Sequence, residues 1–432
     1  MLIPGQLKQQ DPQRMILANK FALPLKIQKL MAKRLSSIFS LMKNGTISNI
    51  DCCADMQLQN KVIIIGGGLA GLTAALHLQK LHFEVTLIEK NSYPHHKVCG
   101  EYVSNEVLPY MNWLGISFQN LGPSQITELQ MTTPNGSAIT TTLPLGGFGL
   151  SRYTMDNFLY QELLKRNVKV LHASVSDVVY ENGAFTVTTA NGQLLSAKHV
   201  LGAYGKRANL DVKLERKFMD KKSPYVAVKA HYQGSFKDNL VGLHHFNGGY
   251  CGISKVEDEL INICYLADYK SFKQHKNIEA FQTAVLYKNS FIKEILEQST
   301  LVFRTPLTIG QISFERKEPV VNHMLMIGDT AGLIHPLCGN GMAMAIHSAK
   351  IAAELIAMHS VESPNARTQL ENSYTRIWKY NFASRIRTGK MLSAILKNSL
   401  LQSLALNSIT KMPNLLNRVI KMTHGKPIAM QR

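Results

Sequence analysis

Hydrophobic positions near residue 60 change from a strand pattern to a helix pattern and back. The run KVIIIGGG, which begins at Lys61, is a short apolar stretch rich in β-branched residues, typical of a strand buried on both faces of a parallel sheet. The following LAGLTAALHLQKLHF has helical spacing, and EVTLIEKN has the composition of a second strand. Together these segments predict a β-α-β unit.

A second strand–turn–helix pattern occurs late in the chain. HMLMIGD predicts a buried strand, and MAMAIHSAKIAAELIAMH predicts a long helix that starts directly after CGNG. Between the two patterns lies a segment of alternating positions with turns at Asn182-Gly183 and Asn191-Gly192. This segment predicts a meander of strands that ends on a buried strand.

Composition and charge are those of a folded globular protein with basic ends. The chain has 432 residues, of which 45% are hydrophobic and 18% charged, and its net charge is +19. No run of about 18 apolar residues lacks charges and helix-breaking glycines, so the sequence predicts no membrane-spanning helix. Residues 1 to 60 are basic, and no acidic residue follows Glu371.

The basic C-terminal segment mixes Leu, Ile and Met with lysines at helix-like spacing. Such a pattern suits a peripheral membrane face or a lipid-substrate entrance better than a nucleic-acid groove, which needs interleaved aromatic residues. It equally fits a helical hairpin that packs on the body of the protein with solvated lysines. We therefore expect a helical cap and no nucleic-acid partner, with peripheral membrane contact as the alternative to a purely structural role.

Residues 1 to 58 form a basic N-terminal extension. The stretch LKIQKLMAKRLSSIFSLMKN is amphipathic and poor in acidic residues, which resembles a transit peptide or a surface helix. Met56 begins MQLQNKVIIIGGG, as a chain would that starts directly with a nucleotide-binding strand. We therefore expect the extension to be either disordered or upstream of the native start.

The cysteines and histidines show no pattern of a disulfide framework or a metal site. Six cysteines in so long a chain, without a secretory signal or C-x-x-C spacing, indicate free thiols in a reducing, cytoplasmic compartment. The adjacent pairs His95-His96 and His244-His245 lack the i,i+4 spacing of helical zinc ligands. The sequence therefore predicts no metal.

The glycines of the first turn stand in G-x-G-x-x-G register at Gly66, Gly68 and Gly71. Their expected roles are a tight turn, close approach of the backbone to a pyrophosphate, and close packing of the helix on the strand. Glu89 ends the second strand, at the offset where an acidic side chain accepts hydrogen bonds from an adenosine ribose. The unit predicts dinucleotide binding without deciding between NAD and FAD.

The second pattern, strand-GD-x(6)-P-x-x-G-x-G-helix, resembles the second FAD fingerprint of the glutathione-reductase-like flavoproteins. The branch that it resembles holds aromatic-ring hydroxylases, geranylgeranyl reductases and flavin halogenases. In that family the aspartate binds the ribityl chain of the flavin and the proline lies beside the isoalloxazine, and these roles fall here on Asp329 and Pro336. Gly339 and Gly341 then permit close approach of the backbone, and the helix behind them points its positive end at the flavin.

Four further segments match or depart from this family. GLSRYTMDN matches its segment with an arginine and an aspartate four residues later, which implies a flavin contact for Arg152. KVCGE resembles the geranylgeranyl-reductase branch, in which the loop that here holds Lys97 and Cys99 passes over the flavin. By contrast, Tyr204 stands where the hydroxylases have an aspartate that is linked to FAD and NAD(P)H. Of the Tyr-x-Trp-x-Phe-Pro motif of the geranylgeranyl reductases, only the tyrosine is present, as Tyr250.

The predicted site residues lie in the two fingerprints and in the loops between them. The candidate catalytic residues are His335, Pro336 and Cys99, because the resemblance places their loops beside the flavin. The predicted cofactor-binding residues are Gly66, Gly68, Leu69, Ala70, Gly71, Glu89, Lys90, Lys97, Arg152, Gly328, Asp329, Pro336, Gly339, Asn340, Gly341 and Met342.

The resemblance implies an α/β fold with three parts. A Rossmann-like FAD-binding domain with a parallel sheet comprises residues 59–209 and 316–358. An antiparallel-sheet substrate domain, residues 210–315, covers the flavin, and a basic helical cap comprises residues 359–432.

On this basis the sequence predicts an FAD-dependent oxidoreductase. The first hypothesis is a monooxygenase that hydroxylates a lipophilic aromatic or polyketide-like molecule with reduced FAD and O2, and with NAD(P)H as electron donor. The alternatives are flavin-dependent reduction of isoprenoid double bonds, as in geranylgeranyl reductases, and a non-catalytic lipid- or prenyl-binding protein on the same fold. A halogenase is disfavoured because the Trp-x-Trp-x-Ile-Pro signature of that branch is missing. We expect a cytoplasmic protein, with membrane association as the alternative.

Overall fold

The computed structural model describes residue 58 and residues 60–221, 223–310, 312–359, 365–397, 408 and 413–430. The predicted N-terminal extension therefore lies outside the described residues, apart from Leu58. Cys99, Cys251, Cys264 and Cys338 are free thiols, as the cysteine usage predicts.

A mostly parallel sheet forms the first layer of the fold. Its strands are β1 (Lys61–Ile65), β2 (Glu84–Glu89), β6 (Lys169–His172), β10 (His199–Gly202), β17 (Val320–Val321) and β18 (Met324–Met326). They lie in the order β17-β18-β10-β1-β2-β6, and β17 alone among them runs antiparallel to its neighbour. The central β1 and β10 are buried almost throughout, as unbroken apolar runs predict for a sheet covered on both faces.

Helices α1 (Leu69–Lys80), α2 (Leu108–Trp113), α3 (Arg152–Lys165) and α8 (Gly341–Met358) accompany this sheet. Helix α1 connects β1 to β2 and packs against both α3 and α8. Both predicted strand–turn–helix patterns are therefore confirmed. Among the described residues, α8 alone is long and apolar enough to cross a membrane, but 72% of it is buried inside the protein, as in a core helix.

A nine-stranded sheet forms the second layer. It consists of β3 (Tyr102–Ser104), β4 (Ser124–Thr132), β5 (Ala138–Gly149), β11 (Tyr225–Gln233), β12 (Leu240–Phe246), β13 (Gly249–Lys255), β14 (Ile261–Asp268), β15 (Thr300–Leu301) and β16 (Leu307–Gly310). The order is β15-β11-β14-β13-β12-β4-β5-β3, with β16 also on β11. All pairs are antiparallel except β12 with β4. Strands β3 to β5 thus join the nine-stranded sheet although they lie within the range predicted for the FAD-binding domain.

A small sheet of three strands holds the predicted meander: β7 (Val175–Glu181), β8 (Ala184–Thr189) and β9 (Leu194–Ala197). Both residues of the Asn182-Gly183 turn have positive φ, which a two-residue hairpin turn of this type requires. The chain then enters the buried β10, as the pattern predicts.

The remaining helices are α4 (Asn209–Lys213), α5 (Tyr269–Lys273), α6 (Ile278–Ala284), α7 (Ser290–Glu297), α9 (Ala366–Lys397) and α10 (Pro413–Thr423). Short 3-10 turns lie at Asn105–Val107, Gln119–Leu121, Lys217–Asp220, Glu257–Glu259, Leu286–Lys288, Gly328–Thr330 and Pro336–Cys338. Helices α9 and α10 confirm the predicted C-terminal helices, and the arrangement as a whole confirms the α/β class.

The two faces of the nine-stranded sheet have different partners. On one face Val228 and Tyr265 pack against Phe281 of α6 and Ile292 of α7. On the other face, Ala227, Tyr250 and Leu266 pack against Leu333 and Leu337, which belong to the second glycine loop. Further along the same sheet, Leu129 and Leu143 pack against Leu416 and Ile420 of α10. This second face, between the parallel sheet and the C-terminal helices, is where the site lies.

Candidate active site

The first glycine turn is held tightly by its own backbone. Gly66 has φ +108°, and a Cβ built on it would lie 2.4 Å from the carbonyl oxygen of Ala203 on the neighbouring strand. A Cβ on Gly71 would lie 1.9 Å from the carbonyl oxygen of Gly66. By contrast, a Cβ on Gly68 would meet nothing closer than 3.8 Å, so the space in front of the turn is open. The turn therefore has the tight backbone and the free approach that a dinucleotide pyrophosphate requires.

Glu89 secures this turn from the end of β2. Its Oε2 accepts a hydrogen bond from the Gly67 amide at 2.7 Å, and its Oε1 accepts from the amide and the side chain of Asn91 at 2.9 and 3.1 Å. A carboxylate offers about four lone-pair positions, so one position remains for a ribose hydroxyl. Glu89 and the exposed Lys90 both line the cavity described below.

A buried cluster of charges faces the open side of the turn. The Asp156 carboxylate accepts from Nε and Nη2 of Arg152 at 2.8 and 2.7 Å and from Nζ of Lys97 at 2.9 Å. Burial alone would raise the pKa of Asp156, but the two cations hold it below its usual range. The cluster carries two positive charges against one negative charge, and both cations lie 3.8 Å from the Cβ position of Gly68. This net positive charge suits an anionic phosphate.

The second glycine loop begins where β18 ends. Gly328 has φ +61° and a Cβ there would lie 2.9 Å from Cβ of Ala70, so this glycine permits close packing on the first helix. Asp329 lines the cavity, and its carbonyl oxygen accepts from Nζ of the buried Lys317 at 2.8 Å. Burial lowers the pKa of Lys317 to about 8, although Asp329 acts against that shift. The two fingerprints therefore meet side by side at one edge of the parallel sheet.

One cavity of about 1240 Å³ connects both fingerprints. At one end it is lined by most of the predicted residues, namely Gly68, Leu69, Ala70, Glu89, Lys90, Lys97, Cys99, Arg152, Gly328, Asp329, Pro336, Gly339, Gly341 and Met342. Four predicted residues do not line it: Gly66, Gly71, His335 and Asn340. The first two act through backbone packing, as described above.

His335 lies behind the wall of the cavity rather than in it. It is buried, and its ring centroid lies 4.6 Å from that of Phe314 and 5.9 Å from that of Tyr250. Its Nδ1 accepts from the amide of Leu337 at 3.4 Å. His335 therefore does not line the cavity, and the hypothesis that it is catalytic stays a prediction.

Pro336 and Cys99 do line the cavity, together with Cys264, Cys338 and Tyr250. Burial raises the pKa of both the Cys264 and the Cys338 thiols to about 12. Burial also raises the pKa of Tyr250 well above its usual value. The side chains of Cys264, Cys338 and Tyr250 are therefore neutral at physiological pH.

Asn340 is held from outside the cavity. As the N-cap of α8 it makes no side-chain capping hydrogen bond. Its side-chain amide donates instead to Oε2 of Glu106 at 3.3 Å, and its side-chain oxygen accepts from Nη1 of Arg385 at 3.3 Å. Asn340 thus anchors the second glycine loop to α9.

The other end of the cavity is apolar and draws on residues that the sequence did not single out. They are Leu129, Met131 and Leu143 of β4 and β5, Val241 and Leu243 of β12, Leu392 and Ile395 of α9, and Leu416, Val419 and Ile420 of α10. The i, i+3, i+4 spacing of the last three was the available signal. For the strand residues, whether a side chain faces the cavity depends on how distant segments pair, so no local pattern in the sequence indicates it.

No group of three or more His, Cys, Asp or Glu side chains in the described ranges is arranged to hold a metal ion. The residues around the two fingerprints instead fit FAD, because they combine an open glycine turn, a net positive cluster and a carboxylate with one free acceptor position.

Comparisons with known proteins support this fit. The model of the pyridine nucleotide-disulphide oxidoreductase family matches residues 60–210. A digeranylgeranylglycerophospholipid reductase of Methanothermobacter thermautotrophicus is 23% identical over 359 residues, which cover 78% of this chain and 86% of that protein. An FAD-dependent monooxygenase of a Nectria species is 23% identical over 345 residues, 70% of this chain and 45% of that protein.

Among solved structures, a flavin-dependent brominase has the same fold, with a TM-score of 0.69 and 17% identity. The match covers 84% of this chain and 92% of that chain. The parallel sheet, the nine-stranded sheet and the C-terminal helices described above are therefore parts of one recurring architecture.

Proposed function

Because the chain belongs to the superfamily of FAD-dependent oxidoreductases that holds the aromatic-ring hydroxylases and the geranylgeranyl reductases, we propose that it reduces carbon–carbon double bonds of an isoprenoid lipid. The proposal refines the enzyme class, FAD-dependent oxidoreductase, by a reaction and a substrate. It departs from the order of the hypotheses drawn from the sequence, where hydroxylation stood first.

The lining of the cavity is the observation that carries the proposal. The cavity of about 1240 Å³ runs from Asp329 at the second fingerprint to Leu416 of α10. Single-ligand pockets usually measure about 300 to 1,000 Å³, so this one has room for a cofactor and for a long apolar molecule beside it. Aliphatic side chains line the end away from the fingerprints, as an isoprenoid chain would require.

The likeness to a digeranylgeranylglycerophospholipid reductase supports the same choice, since it spans 86% of that protein. The monooxygenase relative is matched over 45% of its length. The KVCGE segment, which resembles the reductase branch, also lies at the cavity: Lys97, Cys99 and Gly100 all line it.

Bound FAD would supply two-electron transfer to the substrate. The residues of this chain would bind the cofactor and the substrate, orient them and exclude water. Glu89, Arg152 and Lys97 would hold the adenosine and pyrophosphate end, and Asp329 the ribityl chain. Pro336, Cys338 and Tyr250 would form a neutral chamber wall, and the apolar side chains beyond it would keep the reacting double bond in a water-poor environment.

The test is single turnover without oxygen. Protein reconstituted with FAD is reduced with dithionite under anaerobic conditions and mixed with a geranylgeranyl lipid. We expect the flavin absorbance to return and the product to gain two hydrogens for each double bond reduced, as measured by mass spectrometry. Flavin that stays reduced in the presence of geranylgeranyl lipids would contradict the proposal.

Hydroxylation is the second candidate, favoured by the monooxygenase relative. It predicts that reduced protein consumes O2 in step with insertion of one oxygen atom into an aromatic lipid, which an oxygen electrode and mass spectrometry detect. A non-catalytic lipid carrier is disfavoured, because both fingerprints retain the geometry for FAD.

For the electron donor we propose NAD(P)H. Tyr204, which stands in place of the family's aspartate, lines the cavity, and burial raises the pKa of its phenol above the usual value. The family's carboxylate linked to NAD(P)H is therefore absent here, so the nucleotide would be held by other residues of the cavity. Rapid mixing of the FAD-bound protein with NADH and NADPH should show bleaching of the flavin with at least one of them.

We also propose that the C-terminal helices contact an anionic membrane surface. Met391 of α9, which lines the cavity, is 53% exposed, and Met422 of α10 is 52% exposed. The exposed cations Lys390 and Lys421 adjoin them. Such apolar and cationic pairs bind acidic lipid surfaces in a salt-dependent manner. Co-sedimentation with acidic but not with zwitterionic vesicles, weakened by salt, is the expected result.

A further inference from the structure

The carboxylate of Glu106 lies where three distant chain segments meet. It is fully buried, and its Oε2 accepts from the Gly425 amide at 2.6 Å and from Nδ2 of Asn340 at 3.3 Å. Nη1 of Arg385 lies 3.5 Å from its Oε1. One carboxylate thus connects the second glycine loop, helix α9 and the segment after α10.

The segment after α10 is shaped to reach this carboxylate. A Cβ on Gly425 would lie 2.8 Å from Oε1 of Glu106 and 2.5 Å from Nη2 of Arg385, so only a glycine approaches this closely without displacing them. Three residues later, the buried Ile428 donates its amide to the carbonyl oxygen of Glu106 at 2.7 Å. The preceding Thr423 and His424 line the cavity.

On its other side, Glu106 supports the loop that faces the cofactor. Asn340 stands between Gly339, which has φ +60°, and Gly341, and both glycines line the cavity. The side chain of Asn340 points away from the cavity and makes its contacts with Glu106 and Arg385. Any displacement of Glu106 would therefore remove the support behind the two glycines.

We propose that residues 424–428 form a latch, and that Glu106 is a positioning residue that couples docking of this latch to FAD binding through Asn340. Docking of the latch fixes Asn340 and thereby preorganises the glycine loop for the flavin. Linkage requires the reciprocal effect, so bound FAD stabilises the docked latch by the same factor. The inference concerns cofactor binding alone and does not depend on whether the substrate is reduced or hydroxylated.

The experiment compares the full-length wild type with Gly425→Ala and with Lys426→Ala. The first variant introduces the smallest side chain that reaches Glu106 and Arg385. The second changes an exposed neighbour and serves as the matched control. Two quantities are measured: the FAD dissociation constant, by fluorescence titration of apoprotein, and the hydrogen exchange of a peptide covering residues 424–428, with and without FAD.

In the wild type, FAD should slow exchange in this peptide by about tenfold, and Gly425→Ala should weaken FAD binding by a similar factor and abolish the protection. Lys426→Ala should match the wild type in both. Wild-type exchange that is unaffected by FAD, or equal FAD affinity in the two variants, would overturn the proposal. If Gly425→Ala does not fold, Arg385→Gln breaks the same junction from α9 and is judged by the same criteria. If the junction only stabilises the fold, Gly425→Ala would change neither the effect of FAD on hydrogen exchange nor the FAD affinity of the folded apoprotein.

Discussion

The two ends of the cavity are built in different ways. At the cofactor end, the surface is formed by backbone turns around Gly68 and Gly328 and by charged side chains that the same motifs supply. At the apolar end, side chains from β4, β5, β12, α9 and α10 meet, from positions as distant as Leu129 and Ile420. The fit of a ligand at the cofactor end depends on the positions of individual backbone atoms. At the apolar end it depends on the space that all the side chains together leave open. A substitution should therefore have sharply localised effects at the first and graded effects at the second.

The largest expected effect on FAD binding comes from Gly71→Ala. The new Cβ would lie 1.9 Å from the carbonyl oxygen of Gly66, a backbone atom that cannot move aside without opening the turn. Overpacking of this kind costs about 1 to 3 kcal/mol, which is about a 5- to 150-fold loss of FAD affinity. The flavin-to-protein ratio after gel filtration measures it. Ser196→Ala is the control, because Ser196 is exposed on β9 and does not line the cavity; equal FAD content in both variants would refute the assigned role of the turn.

Asp156→Asn should produce the largest effect on the free energy of unfolding. It leaves Arg152 and Lys97 without their buried counter-charge, and breaking such a pair costs about 3 to 5 kcal/mol. Urea denaturation measures this loss, and the exposed Glu297→Gln should stay within about 0.5 kcal/mol of the wild type. Because the folded-state pKa of Asp156 is lowered, its contribution is present above the unfolded pKa of about 4 and is lost as the pH falls through the folded value. A variant as stable as the wild type at pH 7 would contradict this account.

At the apolar end, Leu143→Trp should raise the KM for a lipid substrate by about tenfold, which is about 1.4 kcal/mol, with FAD content unchanged. Leu143 is buried and lines the cavity, so the larger ring occupies substrate volume. Thr142→Trp on the same strand is the control, since Thr142 is exposed on the opposite face. Loss of FAD from Leu143→Trp would show that the two ends are not independent.

The smallest effect concerns the chamber between the two ends. Burial raises the pKa of Cys264 and Cys338 to about 12, so both are protonated thiols at pH 8 and react slowly with electrophiles. We expect iodoacetamide to leave both unmodified in the native protein and to label both after denaturation, as peptide mass spectrometry shows. Rapid native labelling of either would mean that the chamber is wetter and more polar than its walls indicate.

The sequence predicted most of the cofactor end because its constraints are local. Gly66 and Gly71 are required by backbone contacts within one turn or with an adjacent strand, and such requirements persist as a motif. The second fingerprint likewise predicted Asp329 and Pro336. The position of His335 before Pro336 does not determine on which side of the turn the imidazole lies, so its catalytic role stays a prediction.

The apolar end and the anchoring of Asn340 were beyond local reasoning. Leu129 and Leu143 line the cavity because β4 pairs with β5 in one register, and a shift of either strand by one residue would turn its own leucine away. The link from Glu106 to Gly425 joins residues 319 positions apart. Such contacts depend on the packing of the whole fold, which a periodic pattern does not encode.

The parallel pair of β4 and β12 has a consequence for how the protein is made. During synthesis β4 emerges more than a hundred residues before its parallel partner β12. Until β12 emerges, this side of β4 is an unprotected edge, with Ile126 and Met131 on the apolar face of the strand. Contacts of such long range slow folding and prolong exposure of aggregation-prone edges. A chain truncated before residue 240 should therefore aggregate, and the growing chain should need a chaperone until β12 leaves the ribosome.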